Sequence, residues 1–350
     1  MKILIVGPAW VGDMVMAQVL FKELRRNHPG AIIDVLAPDW SRPLLDRMPE
    51  VRRAIAMPVG HGQVNLSVRK KIAQDLKPEQ YDQAILLPNS FKSALIPYWA
   101  GIPKRTGWRG EMRYIVLNDI RKLIKHDYPL MIQRFAALAY EKNAVLPSRL
   151  LMPELQIDPA SRQAAMDKFN LLPQRKILAL APGAEFGEAK RWPEEHYAKA
   201  AHALIDDGWE TWIFGSKNDV PVANNIRNAL PVQYQVHCHI LAGQTSLAEA
   251  IDLLSMANMV ICNDSGLMHI AAALGRPLVA VYGSTSPDFT PPLNDHVRIV
   301  RLGLDCSPCF ERVCPLGHTD CLKKLDPEKV LDAVTELNKE MQAIPVQVVS

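Results

Sequence analysis

Short apolar runs alternate with amphipathic stretches along most of the chain. Because strand and helix patterns follow one another in this rhythm, each half of the chain predicts a parallel sheet covered on both faces. The rhythm restarts after a polar, proline-containing region around 146–175. In the first half the apolar runs are 3–6, 31–36, 54–57 and 84–87, and in the second half they are 177–180, 211–214, 259–262 and 278–282. The pattern therefore predicts an α/β protein of two domains.

The predicted first domain covers residues 1–165 and the second covers 170–326. A last segment, 327–350, begins with apolar residues at helical spacing. These residues are Val330, Leu331, Val334 and Leu337. The spacing predicts a C-terminal helix that can pack on either domain.

Length, charge and hydropathy narrow the class of protein. A chain of 350 residues fits two domains, and 40 Lys and Arg against 37 Asp and Glu leave a formal charge of +3. This nearly equal number of positive and negative charges argues against a protein that wraps nucleic acid. No apolar stretch approaches the roughly 18 residues of a spanning helix, and the apolar run at the start is too short for a signal peptide. We expect a folded cytoplasmic protein.

The loops that follow the apolar strands are the places to search for chemistry, because open parallel sheets bind ligands outside the carboxyl ends of their strands. The first such loop, 7–13, has neither the glycine spacing of a dinucleotide site nor the Lys-Ser/Thr ending of a P-loop. A nicotinamide dehydrogenase is therefore a poor fit. Asp13 has two interpretations here: a helix N-cap, or a general base held at the edge of the sheet.

The second half carries four loops of small residues at the same predicted edge. Lys190 and Arg191 add charge to the loop 181–193, and 263–269 opens an Ala-rich helix whose first amides can bind a diphosphate. Asp264 and Ser265 can instead serve only as helix caps. His269 lies near enough to the start of that helix to reach a phosphate. With the loops at Gly215-Ser216 and Gly283-Ser284-Thr285, the pattern favours a nucleoside diphosphate, and because the chain has no Asp-x-Asp pair we expect a metal-free site.

Four of the six cysteines crowd into one segment near the C-terminus. Their spacing is Cys306-x2-Cys309-x4-Cys314-x6-Cys321. One CxxC pair and four thiols are enough for a tetrahedral zinc site, although the second pair is loosely spaced. The alternative is a set of reduced thiols in a cytoplasmic loop, where a disulfide is disfavoured.

Several motifs resemble those of the lipopolysaccharide heptosyltransferases of glycosyltransferase family nine. The resemblance covers nearly the whole chain. The matching motifs are 7–14 (GPAWVGDM), 87–94 (LPNSFKSA), 101–103 (GIP), 105–114 (RTGWRGEMRY), 182–187 (PGAEFG), 190–193 (KRWP), 263–269 (NDSGLMH) and 286–292 (SPDFTPP). Ala184 and Glu185 stand where the first type of this family places Thr residues, which favours the second type.

The resemblance implies a GT-B architecture, in which two Rossmann-like, doubly wound parallel-sheet domains face each other across a cleft. It also implies that the C-terminal helix crosses back to the N-terminal domain. The donor would be ADP-heptose, bound mainly by the second domain. The donor-binding residues would be Gly183, Ala184, Glu185, Lys190, Ser216, Asp264, Ser265, Gly266, His269 and Gly283.

The implied reaction is inverting transfer of L-glycero-D-manno-heptose to the first heptose of the Kdo2-lipid A inner core. Asp13 would be the base, and Lys190 would stabilise the leaving diphosphate. No cofactor is required. The acceptor would meet the first domain, and the partner surface would be the cytoplasmic face of the inner membrane. The acceptor-binding residues would be Trp10, Gly12, Lys92, Arg105, Arg109 and Arg113.

The basic residues of the first half have a plainer interpretation as a solvated face. An acceptor with carboxylates and phosphates makes arginine recognition reasonable, and the same cations suit anionic membrane lipids. Two further classes of function remain open. One is another GT-B enzyme, either a transferase with a different nucleotide sugar or a sugar-nucleotide epimerase. The other is a nucleotide-sugar-binding protein without turnover.

Overall fold

A computed structural model describes residues 1–60 and 63–343. It divides the chain into two compact units, of which the first comprises Met1–Gln156 with Asp288–Thr290 and the second Ile157–Pro287 with Pro291–Ser350. The division falls before the predicted gap at 165–170, because a helix at Pro159–Lys168 belongs to the second unit. Asp158 caps that helix by accepting from the amides of Ala160 and Ser161, and Pro159 fits its first turn.

The first unit alternates strands and helices. Its described strands are β1 (Lys2–Val6), β2 (Ile32–Ala37), β3 (Val51–Ala56), β4 (Gln83–Leu86), β5 (Lys104–Trp108) and β6 (Asp119–Arg121). Its described helices are α1 (Val11–Asn27), α2 (Arg42–Leu45), α3 (Leu66–Leu76), α4 (Leu95–Trp99) and α5 (Met131–Ala136). The strands pair in parallel in the order β3-β2-β1-β4-β5-β6, so β1 lies in the middle of the sheet. The central strand is an unbroken apolar run because both faces of a parallel sheet are covered.

The second unit repeats the arrangement. Its described strands are β7 (Lys176–Ala181), β8 (Trp209–Ile213), β9 (Cys238–Ile240), β10 (Met259–Asn263), β11 (Leu278–Val281) and β12 (Val297–Val300). Its described helices are α6 (Pro159–Lys168), α7 (Glu194–Asp206), α8 (Val220–Asn228), α9 (Leu247–Leu254), α10 (Gly266–Ala273), α11 (Asp320–Lys323) and α12 (Pro327–Ala343). The parallel order is β12-β11-β10-β7-β8-β9. The carboxyl ends of β7, β10 and β11 are therefore neighbours, and the predicted α/β class with two doubly wound sheets is confirmed.

The C-terminal helix α12 packs on the second unit. Val330, Val334 and Leu337 are buried in that unit's core, where α12 lies against α7, β11 and β12. The second unit's own core therefore covers the apolar stripe at helical spacing. The return to the first domain that the resemblance implied stays a prediction. The rest of the segment, 344–350, lies outside the described residues.

The helices that the structure describes include none long and apolar enough to cross a membrane.

Candidate functional site

Asn263 joins the loops at the carboxyl edge of the second sheet. It is the last residue of β10 and is fully buried. Its side-chain oxygen accepts from the Trp192 amide at 3.1 Å and from the Tyr197 hydroxyl at 3.0 Å. Its amide nitrogen donates to the Pro182 carbonyl at 2.6 Å. This residue fixes the loop after β7 against the end of β10. This role was not predicted from the sequence, where a polar residue at the end of an apolar strand was its signal.

An ion pair links three loops of the same edge. The Lys190 ammonium lies 2.6 Å from Oδ2 of Asp264, and the Thr285 hydroxyl donates to the same oxygen at 2.6 Å. The two charged side chains are mostly buried. Lys190 is thus held in place by a carboxylate just before α10, and its remaining N–H donors can meet an anion. The structure therefore brings together Lys190 and Asp264 as the sequence predicted.

Helix α10 begins at Gly266 and presents its first amides at this edge. Ser265 is its N-cap, and its hydroxyl accepts from the Met268 amide at 3.4 Å. The amides of the first turn have no acceptor within the helix, so they form a place for negative charge. The helix stops before Gly275, which adopts a left-handed φ of +67°.

His269 is buried inside α10 rather than at its exposed start. Burial lowers its pKa to about 4, which outweighs the opposing effect of Asp264. The imidazole is therefore neutral at pH 7. In this environment the imidazole can offer a diphosphate a neutral N–H donor but no positive charge.

Glycine is required at position 183 because the carboxylate of Asp219 lies close to it. A Cβ at Gly183 would lie 2.5 Å from the carboxylate of Asp219. That carboxylate accepts from the amide and the hydroxyl of Ser216, both at 2.8 Å. The predicted donor residues Gly183 and Ser216 are thus brought together by Asp219. Their loops follow the adjacent strands β7 and β8.

The loop after β7 also packs against the cysteine-containing segment, residues 306–321. A Cβ at Gly187 would overlap the Arg312 carbonyl, which accepts from the Ala189 amide at 3.1 Å. Lys190 and Arg312 both lie over the ring of Phe186, at 4.9 and 5.2 Å. Ala184 is buried, whereas Glu185 is exposed.

The same cysteine-containing segment also contacts the loop after β11. The Ser307 hydroxyl donates to the Gly283 carbonyl at 2.6 Å, and the Phe310 amide donates to the Ser284 carbonyl at 2.6 Å. A Cβ at Gly283 would meet Leu322 at 2.6 Å. The cysteine-containing segment is therefore a support for two of the predicted donor loops.

The four clustered cysteines have free thiols and line one small cavity. The Thr319 amide donates to Sγ of Cys314 at 3.4 Å, and this and neighbouring amides lower the pKa of that thiol. Across residues 1–60 and 63–343, no group of three or more His, Cys, Asp or Glu side chains is arranged to hold a metal ion. The predicted zinc site at Cys306, Cys309, Cys314 and Cys321 thus receives no support from the geometry.

In the first unit, Asp13 lies in the first turn of α1. The N-cap is Trp10, whose backbone is extended and whose carbonyl accepts from the Met14 amide at 2.9 Å. The interpretation of Asp13 as the N-cap is therefore wrong. Its carboxylate is half-buried at the positive end of α1, the helix that follows the carboxyl end of β1.

Four predicted acceptor residues lie at the carboxyl edge of the first sheet. Trp10 is exposed and Gly12 lies in the first turn of α1. Lys92 follows β4, and its ammonium donates to the Gln63 carbonyl at 3.3 Å. Arg109 follows β5 directly and is exposed. Because β1, β4 and β5 are successive neighbours in the sheet, these residues share one edge.

Arg113 lies inside the first unit, which corrects its predicted role as an acceptor ligand. Only 1% of the residue is exposed. Its guanidinium donates to the carbonyls of Pro88 and Trp108, at 2.8 and 2.5 Å, and to Oδ1 of Asn89 at 3.1 Å. Burial lowers its pKa to about 10, so it stays charged at neutral pH. It holds neighbouring loops together and is not presented to a ligand.

Arg105 is also corrected, because it stands near the amino end of β5, away from the edge that carries Asp13. Its guanidinium donates to the carbonyls of Ile102 and Val116, at 2.5 and 2.8 Å, and lies over the Tyr98 ring. These contacts join the connection between α4 and β5 to the end of the loop before β6. Sequence spacing alone cannot separate this arginine from Arg109.

Two six-stranded parallel sheets with helices between their strands define a Rossmann-like α/β class of protein. The model of glycosyltransferase family 9 (heptosyltransferase) matches residues 69–320. This chain belongs to that family, which confirms the resemblance seen in its motifs and makes it a glycosyltransferase.

The similar proteins cover almost the whole chain. Lipopolysaccharide heptosyltransferase 2 of Escherichia coli K12 is 48% identical over 348 residues, 98% of this chain and 100% of that protein. Lipooligosaccharide heptosyltransferase 2 of Haemophilus influenzae is 53% identical over 310 residues, 86% and 89% of the two chains. The solved structure of E. coli ADP-heptose LPS heptosyltransferase II is 47% identical with a TM-score of 0.89, covering 98% of this chain and 100% of that chain.

Proposed function

We propose that this chain transfers heptose from ADP-heptose to the inner core of lipopolysaccharide. The observation that carries the proposal is the anion-binding edge of the second unit, where Lys190 is held by Asp264 and Thr285 beside the first amides of α10. Near-full-length similarity to lipopolysaccharide heptosyltransferase 2 supports the same reaction. The natural partners are therefore a nucleotide sugar and a saccharide acceptor.

The donor binds the second unit through its diphosphate. The amides of Ser265 and Gly266 and the ammonium of Lys190 face the charge that develops on ADP as it leaves. The small residues Gly183 and Gly283 let backbone approach the phosphates, and Ser216 borders the same edge. In this arrangement a fixed lysine and helix amides act where other nucleotide-sugar enzymes use a divalent cation.

Asp13 acts as the base. Its carboxylate accepts the proton of an acceptor hydroxyl while that oxygen forms a bond to C1 of the heptose. The bond from C1 to the diphosphate oxygen breaks on the opposite face, so the anomeric centre inverts and ADP carries away the electron pair. The acceptor is the first heptose of heptosyl-Kdo2-lipid A. Trp10, Gly12, Lys92 and Arg109 are the residues of the first unit placed to meet it.

The reaction takes place at the cytoplasmic face of the inner membrane, since the acceptor carries a lipid anchor. A peripheral enzyme can reach such an acceptor without a spanning helix. Nucleic acid has no part in this function.

The test is ADP release from ADP-heptose by wild type and Asp13→Asn, with and without heptosyl-Kdo2-lipid A. We expect acceptor-dependent release that falls at least about 10³-fold in the variant while ADP affinity is retained. Asp75→Asn is the matched control, because it removes an exposed carboxylate of α3 and should leave the rate unchanged.

The other outcomes point to the alternatives. Release that does not need the acceptor would indicate an epimerase or a hydrolase. ADP-heptose binding with no release by wild type would indicate a binding protein. A fully active Asp13→Asn variant would remove the assignment of the base but not of the transferase.

A further inference from the structure

The loop between β5 and β6 carries three strongly exposed apolar side chains. Met112, Tyr114 and Ile115 are 85%, 61% and 80% exposed. Single exposed apolar residues are common on proteins, but three within four positions of one loop are not. Phe91, in the neighbouring loop after β4, is 40% exposed.

Several contacts fix this apolar loop, residues 109–118, to the rest of the first unit. Arg113 points inward and binds the carbonyls described above, and Val116 and Leu117 are buried in the core of the first unit. The Glu111 carboxylate accepts from the Phe91 amide at 2.6 Å. Because these contacts fix the backbone, Met112, Tyr114 and Ile115 are held outward and cannot fold back into the core.

Cations border the apolar loop on the same edge of the sheet. Arg109 follows β5, and Lys122 and Lys125 follow the adjacent strand β6; all three are exposed. Ile124 between the lysines is half exposed. An exposed apolar tip with flanking lysines and arginines is the combination that binds the interface of an anionic bilayer, where apolar side chains enter the acyl boundary and cations meet phosphates.

We propose that the loop 109–118 inserts Met112, Tyr114 and Ile115 into the surface of an anionic phospholipid bilayer. The inference deepens the proposed function, on which it rests for the lipid-anchored acceptor. Since β1 and β5 are separated by β4 alone, and neighbouring strands lie about 4.8 Å apart, their carboxyl ends are about 10 Å apart. Insertion would therefore bring the edge that carries Asp13 close to the saccharide of an acceptor whose lipid stays in the membrane.

The test measures co-sedimentation with vesicles of phosphatidylethanolamine and phosphatidylglycerol, and with neutral phosphatidylcholine vesicles. We expect wild type to bind the anionic vesicles. The double variant Met112→Ser/Ile115→Ser should lose at least tenfold in partition. The matched control is Val145→Ser/Leu172→Ser, which removes two apolar residues of 92% and 78% exposure elsewhere and should change partition less than twofold. Lys122→Gln/Lys125→Gln should weaken binding and its dependence on salt.

Equal partition of the Met112→Ser/Ile115→Ser variant and wild type would overturn the inference, as would equal binding of wild type to neutral and anionic vesicles. A wild type that self-associates in sedimentation velocity, with monomeric loop variants, would instead make the loop an interface between copies. Turnover on a delipidated, soluble acceptor separates the two proposals. With this acceptor, the turnover rate of the loop variants should match that of wild type. If wild type showed no turnover, the proposed function would be contradicted, while the vesicle-binding result would still support insertion of the loop.

Discussion

Arg109 and Arg113 stand four positions apart in one motif, yet only Arg109 is exposed. Arg113 is turned inward, where its guanidinium donates to the carbonyls of Pro88 and Trp108 at a buried site. At the residue scale, then, the same type of side chain is exposed and free to meet the proposed acceptor in one position and holds loops together in the other. The difference depends on which carbonyls the fold brings near, and this is not visible in the chain's linear order.

Replacing Arg113 by Met should destabilise the protein, since several buried oxygens would lose their donor. We expect a loss of about 3 kcal/mol in the free energy of unfolding, measured by chemical denaturation. Arg109→Met should change stability by less than about 0.5 kcal/mol and raise the acceptor KM instead. A stable Arg113→Met protein would show that the guanidinium is not structural.

His269 predicts a pH dependence of stability. Its pKa is about 4 in the folded protein and about 6.5 when unfolded, so acid protonates the unfolded chain first. Stability is therefore full above pH 6.5 and is lost as the pH falls toward 4. Between pH 7 and pH 5 this residue should lower the free energy of unfolding by about 2 kcal/mol. His269→Gln should remove that part of the wild-type slope, and an unchanged slope would contradict the burial argument.

At the scale of elements, the long apolar strands were predictable and the short or polar ones were not. The runs at 3–6 and 177–180 lie within β1 and β7, because a strand covered on both faces must be apolar throughout. The short strands β6, β9 and β12 were missed because three or four residues carry too little pattern, and β5 was missed because charged and polar residues interrupt it. The loops proposed to bind the donor were predicted from small residues after strands. The roles of Asn263 and Asp219 were not, because these side chains act through contacts distant in sequence.

The loop after β7 provides the element-scale prediction. In Gly187→Ala the new methyl would push against the Arg312 carbonyl and displace the loop that ends in Lys190. We expect the KM for ADP-heptose to rise about tenfold, with weaker ADP binding by calorimetry. Gly30→Ala is the control, because a Cβ there meets nothing within 4 Å. Equal KM values for the two variants would mean that the loop tolerates the displacement.

At the scale of the whole molecule, each unit has its own sheet and its own core. The loops proposed to bind the donor all belong to the second unit, so ADP should protect that unit selectively. In hydrogen exchange, saturating ADP should slow the amides after β7, β10 and β11 and leave the first unit's central strands unaffected. Protection confined to the first unit would reverse the assignment of the donor. If the chain bound no ADP, the assignment of a donor site to the second unit would be wrong.

The three residues Asp288–Thr290 belong to the first unit although the chain around them belongs to the second. The Phe289 carbonyl accepts from the Met131 amide at 3.0 Å, and the Arg134 guanidinium lies 4.5 Å from the centre of the Phe289 ring. A gene fragment that ends at Gln156 would therefore encode a first unit whose α5 lacks both contacts. Expression of the first half alone would therefore need that tripeptide supplied; without it, the Met131 amide loses its acceptor and Arg134 keeps only its bond to the Tyr128 carbonyl.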